Sequence, residues 1–224
     1  MHLDHDAIAA MERFRRAALI NSITGFKPAN LVGTVSDNGQ SNLAIMSSLV
    51  HIGSNPPLLA LVFRPDTAER HTLDNIRSTG IYTINHVHRD IVDAAHQTAA
   101  RYARDSSEFA ATGLEEAWRN GWEAPFVKAA EVCIAMQLRE EQKLEINGCH
   151  LVIGEIQSIE LPEHALIDTG ALDPAAAGSV ALSGLDAYYL AQPLCRMAYA
   201  KPELPPRRLP LGIDSPKKSP SGNA

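Results

Sequence analysis

The spacing of apolar positions changes period several times along the chain, and each change marks an expected element. From Asp6 onward Ile8, Met11, Phe14 and Arg15 recur at helical spacing, with Asp6 placed to cap the helix. Thr24-Gly25 and Pro28 break that pattern. Ala29 to Ser36, rich in β-formers, predicts a strand, and Asp37-Asn38-Gly39 a tight hairpin turn, since Asn and Gly tolerate positive φ. A second strand is expected from about Ser41 to Leu49. Asn55-Pro56-Pro57 withholds two ladder donors and predicts a rigid corner. Leu58 to Phe63 follows as a third strand, apolar enough for burial on both faces.

Thr72 is placed to cap a short helix that Gly80 closes, and Ile81 to Val87 returns to strand. A longer helix is expected from about Asp90 to Tyr102, with Ile91, Ala95 and Ala99 on one face, before a mixed polar stretch to Pro125. Glu131 to Leu138 alternates cleanly, and Asn147-Gly148 turns the chain into a strand over His150–Ile159. Beyond it only a Ser183-Gly184-Leu185 turn and the Tyr188-Tyr189 pair stand out. Hairpins joined by long connections predict a mainly β fold with helices: an antiparallel Greek-key barrel with helical decoration. The pattern fades at about residue 200. Residues 201–224 hold six prolines and more cations than acids, and read as a flexible tail to a domain spanning 1–200.

Composition narrows the function classes. Of 224 residues 45% are hydrophobic and 21% charged, enough to bury a sizeable core. A net charge of −6 disfavours nucleic acid and anionic membrane as partners. No apolar run approaches the ~18 residues that span a bilayer, and the N-terminus lacks a secretory pattern, so a soluble cytoplasmic protein is expected. Cys133, Cys149 and Cys195 form no CxxC pair and read as reduced thiols. There is no dinucleotide fingerprint, no P-loop and no nucleophile elbow.

The informative stretch is Ser41 to Thr72. A hydroxyl-bearing strand, Ala44-Ile45-Met46-Ser47-Ser48-Leu49-Val50, runs toward the Pro-Pro corner. One strand later Arg64-Pro65 precedes Arg70-His71-Thr72, which opens a helix. Free amides, the positive helix end, a bidentate Arg and a Thr hydroxyl together suit a phosphate. A solvated face is the plain alternative on local grounds.

The ordered set Asn42-Leu43-Ala44, Ser47-Ser48, Asn55-Pro56-Pro57-Leu58, Arg64-Pro65, Arg70-His71-Thr72-Leu73-Asp74-Asn75-Ile76, Thr79-Gly80 and Asn85 resembles the flavin reductase-like, FMN-binding split-barrel family, closest to its flavoredoxin-type branch. Asp105-Ser106-Ser107-Glu108-Phe109, Glu131-Val132-Cys133 and Gly148-Cys149-His150 continue the match, over roughly residues 20–200. The resemblance implies a homodimer with FMN, in preference to FAD, near the subunit interface, and NAD(P)H as electron donor. It implies isoalloxazine contacts from Ser47, Ser48, Leu49 and Val50, and a phosphate grip from Arg70 and Thr72. His71, Phe63 and Arg64 are expected as neighbours, with Asn85 a weaker candidate. Several relatives carry an aromatic residue near Ser48, which this chain lacks. The expected activity is NAD(P)H-dependent flavin reduction, with a monooxygenase or another acceptor downstream. The alternatives are an FMN electron carrier reduced by a protein partner, and a barrel that has lost flavin and serves as an interaction module.

Other residues carry weaker expectations. His86-x-His88 could form a metal pair but lacks a recognisable ligand set. His51 could meet flavin or bond to backbone. Trp118 and Trp122 could lie over the site or simply pack, and Tyr188-Tyr189 could stack on a ligand or on the barrel.

Overall fold

The computed structural model describes residues 1–65, 70–119 and 121–211. The first helical region is two short helices, α1 (His5–Ala10) and α2 (Arg13–Ser22). Asp4, and not Asp6, caps α1 by accepting from the Ala7 amide. The Glu12 carboxylate restarts the helix as α2 by accepting from the amides of Phe14 and Arg15. Strand β1 (Lys27–Pro28) follows, then β2 (Asn30–Val35) and β3 (Ser41–Met46), joined by the expected turn at Gly39, whose φ is 82°.

The second strand therefore stops at Met46. Ser47-Ser48-Leu49 link it to β4 (Val50–Ser54), which the sequence pattern did not reveal. The expected Pro-Pro corner is the tight turn of a hairpin, with a cis Asn55–Pro56 peptide, and β5 (Pro57–Phe63) begins on its second proline. Val62 stays exposed, so β5 is not buried on both faces as expected.

Helix α3 (His71–Thr79) closes on Gly80 in the left-handed region and leads into β6 (Ile81–His86). Its N-cap position is Arg70. Thr72 lies inside the first turn and is not the cap expected. The long helix foreseen over Asp90–Tyr102 shrinks to a 3-10 turn and α4 (Val92–Gln97). Then come α5 (Glu108–Thr112), β7 (Glu116–Ala117) and β8 (Phe126–Val127). The long hairpin β9 (Cys133–Lys143) and β10 (His150–Glu160) turns at Asn147-Gly148 as expected. The Gly184 turn joins β11 (Val180–Ser183) to β12 (Ala187–Leu190). Strands β13 (Arg196–Met197) and β14 (Arg208–Leu209) pair near the end, so part of the expected tail, 201–211, folds back on the chain, while 212–224 lie outside the described residues.

Seven strands form one antiparallel sheet in the order β3-β2-β6-β9-β10-β5-β4. Its two edge strands, β3 and β4, are consecutive in the chain. Four peptide steps span at most about 14 Å, so the sheet must curl until its edges meet. Ser48 fastens the seam: its hydroxyl donates to the Val62 carbonyl (2.8 Å) and accepts from the Val62 amide (3.2 Å). The result is the split β-barrel the sequence led us to expect.

Alternation along the strands divides the core in two. Val32, Leu61, Tyr82, Ile84, Met136 and Val152 fill the barrel, with Leu73 and Ile76 of α3 packed against them. Leu31 and Leu43 form a second cluster with Val87 and with Phe109 of α5, Phe126 of β8 and Leu182 of β11. Apolar burial on both faces of one sheet is the main source of its stability.

Candidate functional site

A cleft of about 830 Å³ opens at the seam of the barrel. One side is the end of β3 with Ser47 and Ser48; another is the end of β5 with Phe63 and Arg64; the floor is the start of α3. Residues 98–102, after α4, form the outer wall, and β11–β12 close it with Leu182 and Tyr188.

The free edge of β3 explains why the cleft sits there. An edge strand presents unpaired amides that a protein must cover. The Leu43 amide donates to the buried Glu108 carboxylate (2.9 Å). Two residues on, the Ile45 amide donates to the Thr98 hydroxyl (2.9 Å), which in turn donates to the Ala95 carbonyl (2.8 Å). Ser47 is next in this series. Among the described residues no partner engages its amide, and it borders the cleft. The covering side chains run out where the cavity begins.

At the floor, Thr72 is almost fully buried and held by a polar network. Asn42 donates through its Nδ2 to the hydroxyls of both Thr34 (3.1 Å) and Thr72 (3.0 Å), and Asn75 donates to Thr34 (3.1 Å). The Thr72 hydroxyl accepts that bond and keeps its own proton to donate. Arg70 also lines the cleft, with a buried Nε that has no partner among the described residues. A buried guanidinium N–H without an acceptor is costly, and an anion in the cleft is the natural remedy. The first-turn amides of α3 add to the same positive end.

Seven of the ten residues expected in the site therefore meet in one cavity: Ser47, Ser48, Phe63, Arg64, Arg70, His71 and Thr72. The Ser48 hydroxyl, however, is committed to the seam. Leu49 packs with the barrel interior, and Val50 lies exposed on β4; neither lines the cleft. Asn85 does not line the cleft. It is fully buried, donates to the Leu31 carbonyl (3.1 Å) and the Thr83 hydroxyl (3.0 Å), and accepts from the Val127 amide (3.0 Å). It ties β6 to β2 and β8 and does not face the cavity.

Sequence reasoning missed Lys27, Arg101 and the Thr98–Tyr102 wall. Nothing local marks them, because they reach the cleft only through the packing of β1 and of the segment after α4. Of the weaker candidates, Tyr188 lines the cleft with its hydroxyl 2.9 Å from His96 Nδ1, and Tyr189 packs at a tilt against Phe26. Burial raises the Tyr188 pKa, with Asp186 adding to the effect. His51 is exposed outside the cleft. Burial lowers the His86 pKa to about 4; its Nδ1 lies 3.0 Å from Ser179 Oγ. Among the described residues no His, Cys, Asp and Glu group could hold a metal. Trp118 and Trp122 border a separate shallow cavity near the Gly39 turn.

The curled seven-stranded sheet, with a cation-lined cleft at its seam, places the chain in the split-barrel class. Residues 26–174 match the flavin reductase like domain, and the chain belongs to that family. It is similar, at 47% identity and a TM-score of 0.86, to a candidate flavin reductase with a split barrel domain from Shewanella frigidimarina, over 89% of this chain and 100% of that one. Nitrilotriacetate monooxygenase component B from Bacillus cereus shares the fold at 21% identity and a TM-score of 0.75, over 86% of this chain and 96% of that one. Flavoredoxin of Desulfovibrio vulgaris does so at 24% identity and a TM-score of 0.65, over 80% and 92%. Among the described residues no helix is long and apolar enough to cross a membrane.

Proposed function

We propose that the protein binds FMN in the seam cleft and works as a flavin reductase, taking electrons from NAD(P)H and passing them to an acceptor. The observation that carries this is the buried Arg70 Nε, unpartnered among the described residues, which lines the cleft together with Thr72 at the start of α3, an arrangement that fits a phosphate monoester. When bound, FMN supplies the two-electron chemistry, and the protein needs no acid or base of its own for it. Arg70, Thr72 and the α3 amides would hold the phosphate. The Ser47 amide would donate to the polar edge of the ring, favouring the electron-rich form there. Phe63 and the Thr98–Tyr102 wall would exclude water.

We extend the proposal to a homodimer joined next to the seam. Val50, Ile52 and Val62 lie exposed on the adjoining strands β4 and β5, an apolar surface that a second copy would cover.

Anaerobic mixing with NADH and then NADPH, followed at the flavin absorbance band, tests the reading. Bleaching by either supports it. Flavin that dithionite bleaches and neither nucleotide does would overturn the reductase and leave a flavoredoxin-like carrier served by a protein donor. For the site itself, Arg70→Ala should weaken FMN binding ten- to a hundredfold in a flavin-fluorescence titration, the worth of one charged hydrogen bond. Unchanged affinity would remove Arg70 from the grip.

A further inference from the structure

The flavin reading leaves part of the cleft's charge unused. Among the described residues four lysine and arginine side chains line it: Lys27, Arg64, Arg70 and Arg101. The one lining carboxylate among the described residues, Glu108, is buried and turned to the β3 backbone, where it accepts from the Leu43 amide. None of the four cations has an ion-pair partner among the described residues. In a chain of net charge −6 this concentration does not follow from composition. A phosphate monoester carries at most about two negative charges, which Arg70 and the α3 terminus already answer.

Lys27 reaches the cavity from the β11–β12 side, and Arg64 from the end of β5. Lys27 lies on β1, opposite Leu182, and Leu182 pairs on its other side with Tyr188. Residues opposite one another across a sheet share a face, and all three line the cleft. The Lys27 ammonium is fixed by the carbonyls of Asn21 (3.2 Å) and Gly184 (2.8 Å), which leaves one N–H uncommitted. Arg64 stands exposed at the lip. Burial and then the nearby Arg64 charge hold the Lys27 pKa below the usual lysine range. Two like charges kept together at a partly buried site repel, and an anion between them relieves that repulsion.

We propose that Lys27 and Arg64 form a second anion subsite, which receives the 2′-phosphate of NADPH and makes the protein prefer NADPH to NADH. This rests on the flavin reading. The 2′-phosphate suits the pair better than the pyrophosphate common to both nucleotides. A monoester dianion matches two cations lining one cavity, whereas each pyrophosphate unit of a dinucleotide carries a single charge. Arg64 at the lip would meet the incoming group first, with Lys27 deeper.

The test uses nucleotide fragments that cannot donate electrons. Titrated calorimetrically into the flavin-loaded protein, adenosine 2′,5′-bisphosphate should bind at least tenfold tighter than 5′-AMP. Lys27→Gln should bring the two to within about twofold, and should lower the NADPH-to-NADH ratio of kcat/KM about tenfold, through the KM for NADPH. Should Lys27→Gln fail to fold, having lost its bonds to Asn21 and Gly184, Arg64→Gln reads the same ratio from the exposed lip. Equal binding of the two fragments by the unaltered protein overturns the subsite. So does a Lys27→Gln variant that weakens FMN and leaves the fragment ratio intact. A separate FMN fluorescence titration reports on the flavin reading, so the two ideas can fail independently.

Discussion

The barrel and the N-terminal helices make opposite use of their apolar residues. Every strand from β2 to β10 in the large sheet is paired, and its inward side chains, such as Leu61, Tyr82 and Met136, are fully buried. Helices α1 and α2 contain no buried residue, and Phe14, Ile20 and Ile23 face solvent. Short helices are marginal in water unless an apolar face is packed. The barrel therefore holds itself, while α1 and α2 rest on local devices: the Asp4 and Glu12 caps and the bond from Arg16 to the Ala9 carbonyl (2.8 Å). Stability and exposed apolar surface are segregated along the chain. Exposed apolar residues lie on the N-terminal helices and on the outward face of β4 and β5, on the far side of those strands from the buried barrel interior.

The sharpest way to break this contrast is to open the barrel. Leu61→Ala removes a fully buried side chain from the middle of β5, where Phe63, Tyr82 and Val152 belong to the same cluster. The expected cost is about 3 kcal/mol, transfer and cavity terms together. Urea unfolding should show a lower midpoint with an unchanged slope. A loss below about 1 kcal/mol would mean that the barrel interior is not the principal core.

The same contrast explains what was readable in advance. Strands β2, β5, β6, β9 and β10 were legible because period-2 alternation and the turns at Gly39 and Gly148 agree with the final packing. Strand β4 was not. Val50-His51-Ile52-Gly53-Ser54 mixes exposed apolar and polar residues, and two prolines read as a corner when they serve a hairpin. The helix break at Glu12 was hidden because one carboxylate can cap where the apolar spacing continues. In the site, Arg70, His71 and Thr72 were legible from the helix start and the family resemblance. Asn85 does not line the cleft, and the sequence does not show this, since a buried Asn that ties strands together and one that faces a ligand look alike in sequence. Lys27 and the Thr98–Tyr102 wall depend on contacts between distant segments that no local pattern encodes.

Acid should distinguish the buried strands from the surface next. His86 ends β6, and burial lowers its pKa from 6.5 to about 4. The folded protein thus keeps a neutral imidazole where the unfolded chain takes up a proton. Its contribution is fully present above pH 6.5 and is lost as pH falls toward 4. Each pH unit in that window is worth up to about 1.4 kcal/mol, and the partly exposed ring reduces the total to about 2. Stability measured from pH 7 to 4 should therefore decline, and His86→Gln should flatten the decline. An identical slope in that variant would assign the acid sensitivity elsewhere.

The smallest expected effect is at the helix that buries nothing. Phe14 on α2 is 75% exposed, and its ring has the Arg13 guanidinium 5.7 Å from its centroid. An exposed cation–π contact contributes about 0.5 kcal/mol, and little apolar area leaves water. Phe14→Ser should therefore shift the urea midpoint by no more than that, against about 3 kcal/mol for Leu61→Ala. The measurement is worth making at two protein concentrations. A loss above 1 kcal/mol that grows on concentrating the protein would show that α2 is covered by a second copy in solution. The division between a self-sufficient barrel and an unpartnered helix would then hold for one chain and fail for the assembly.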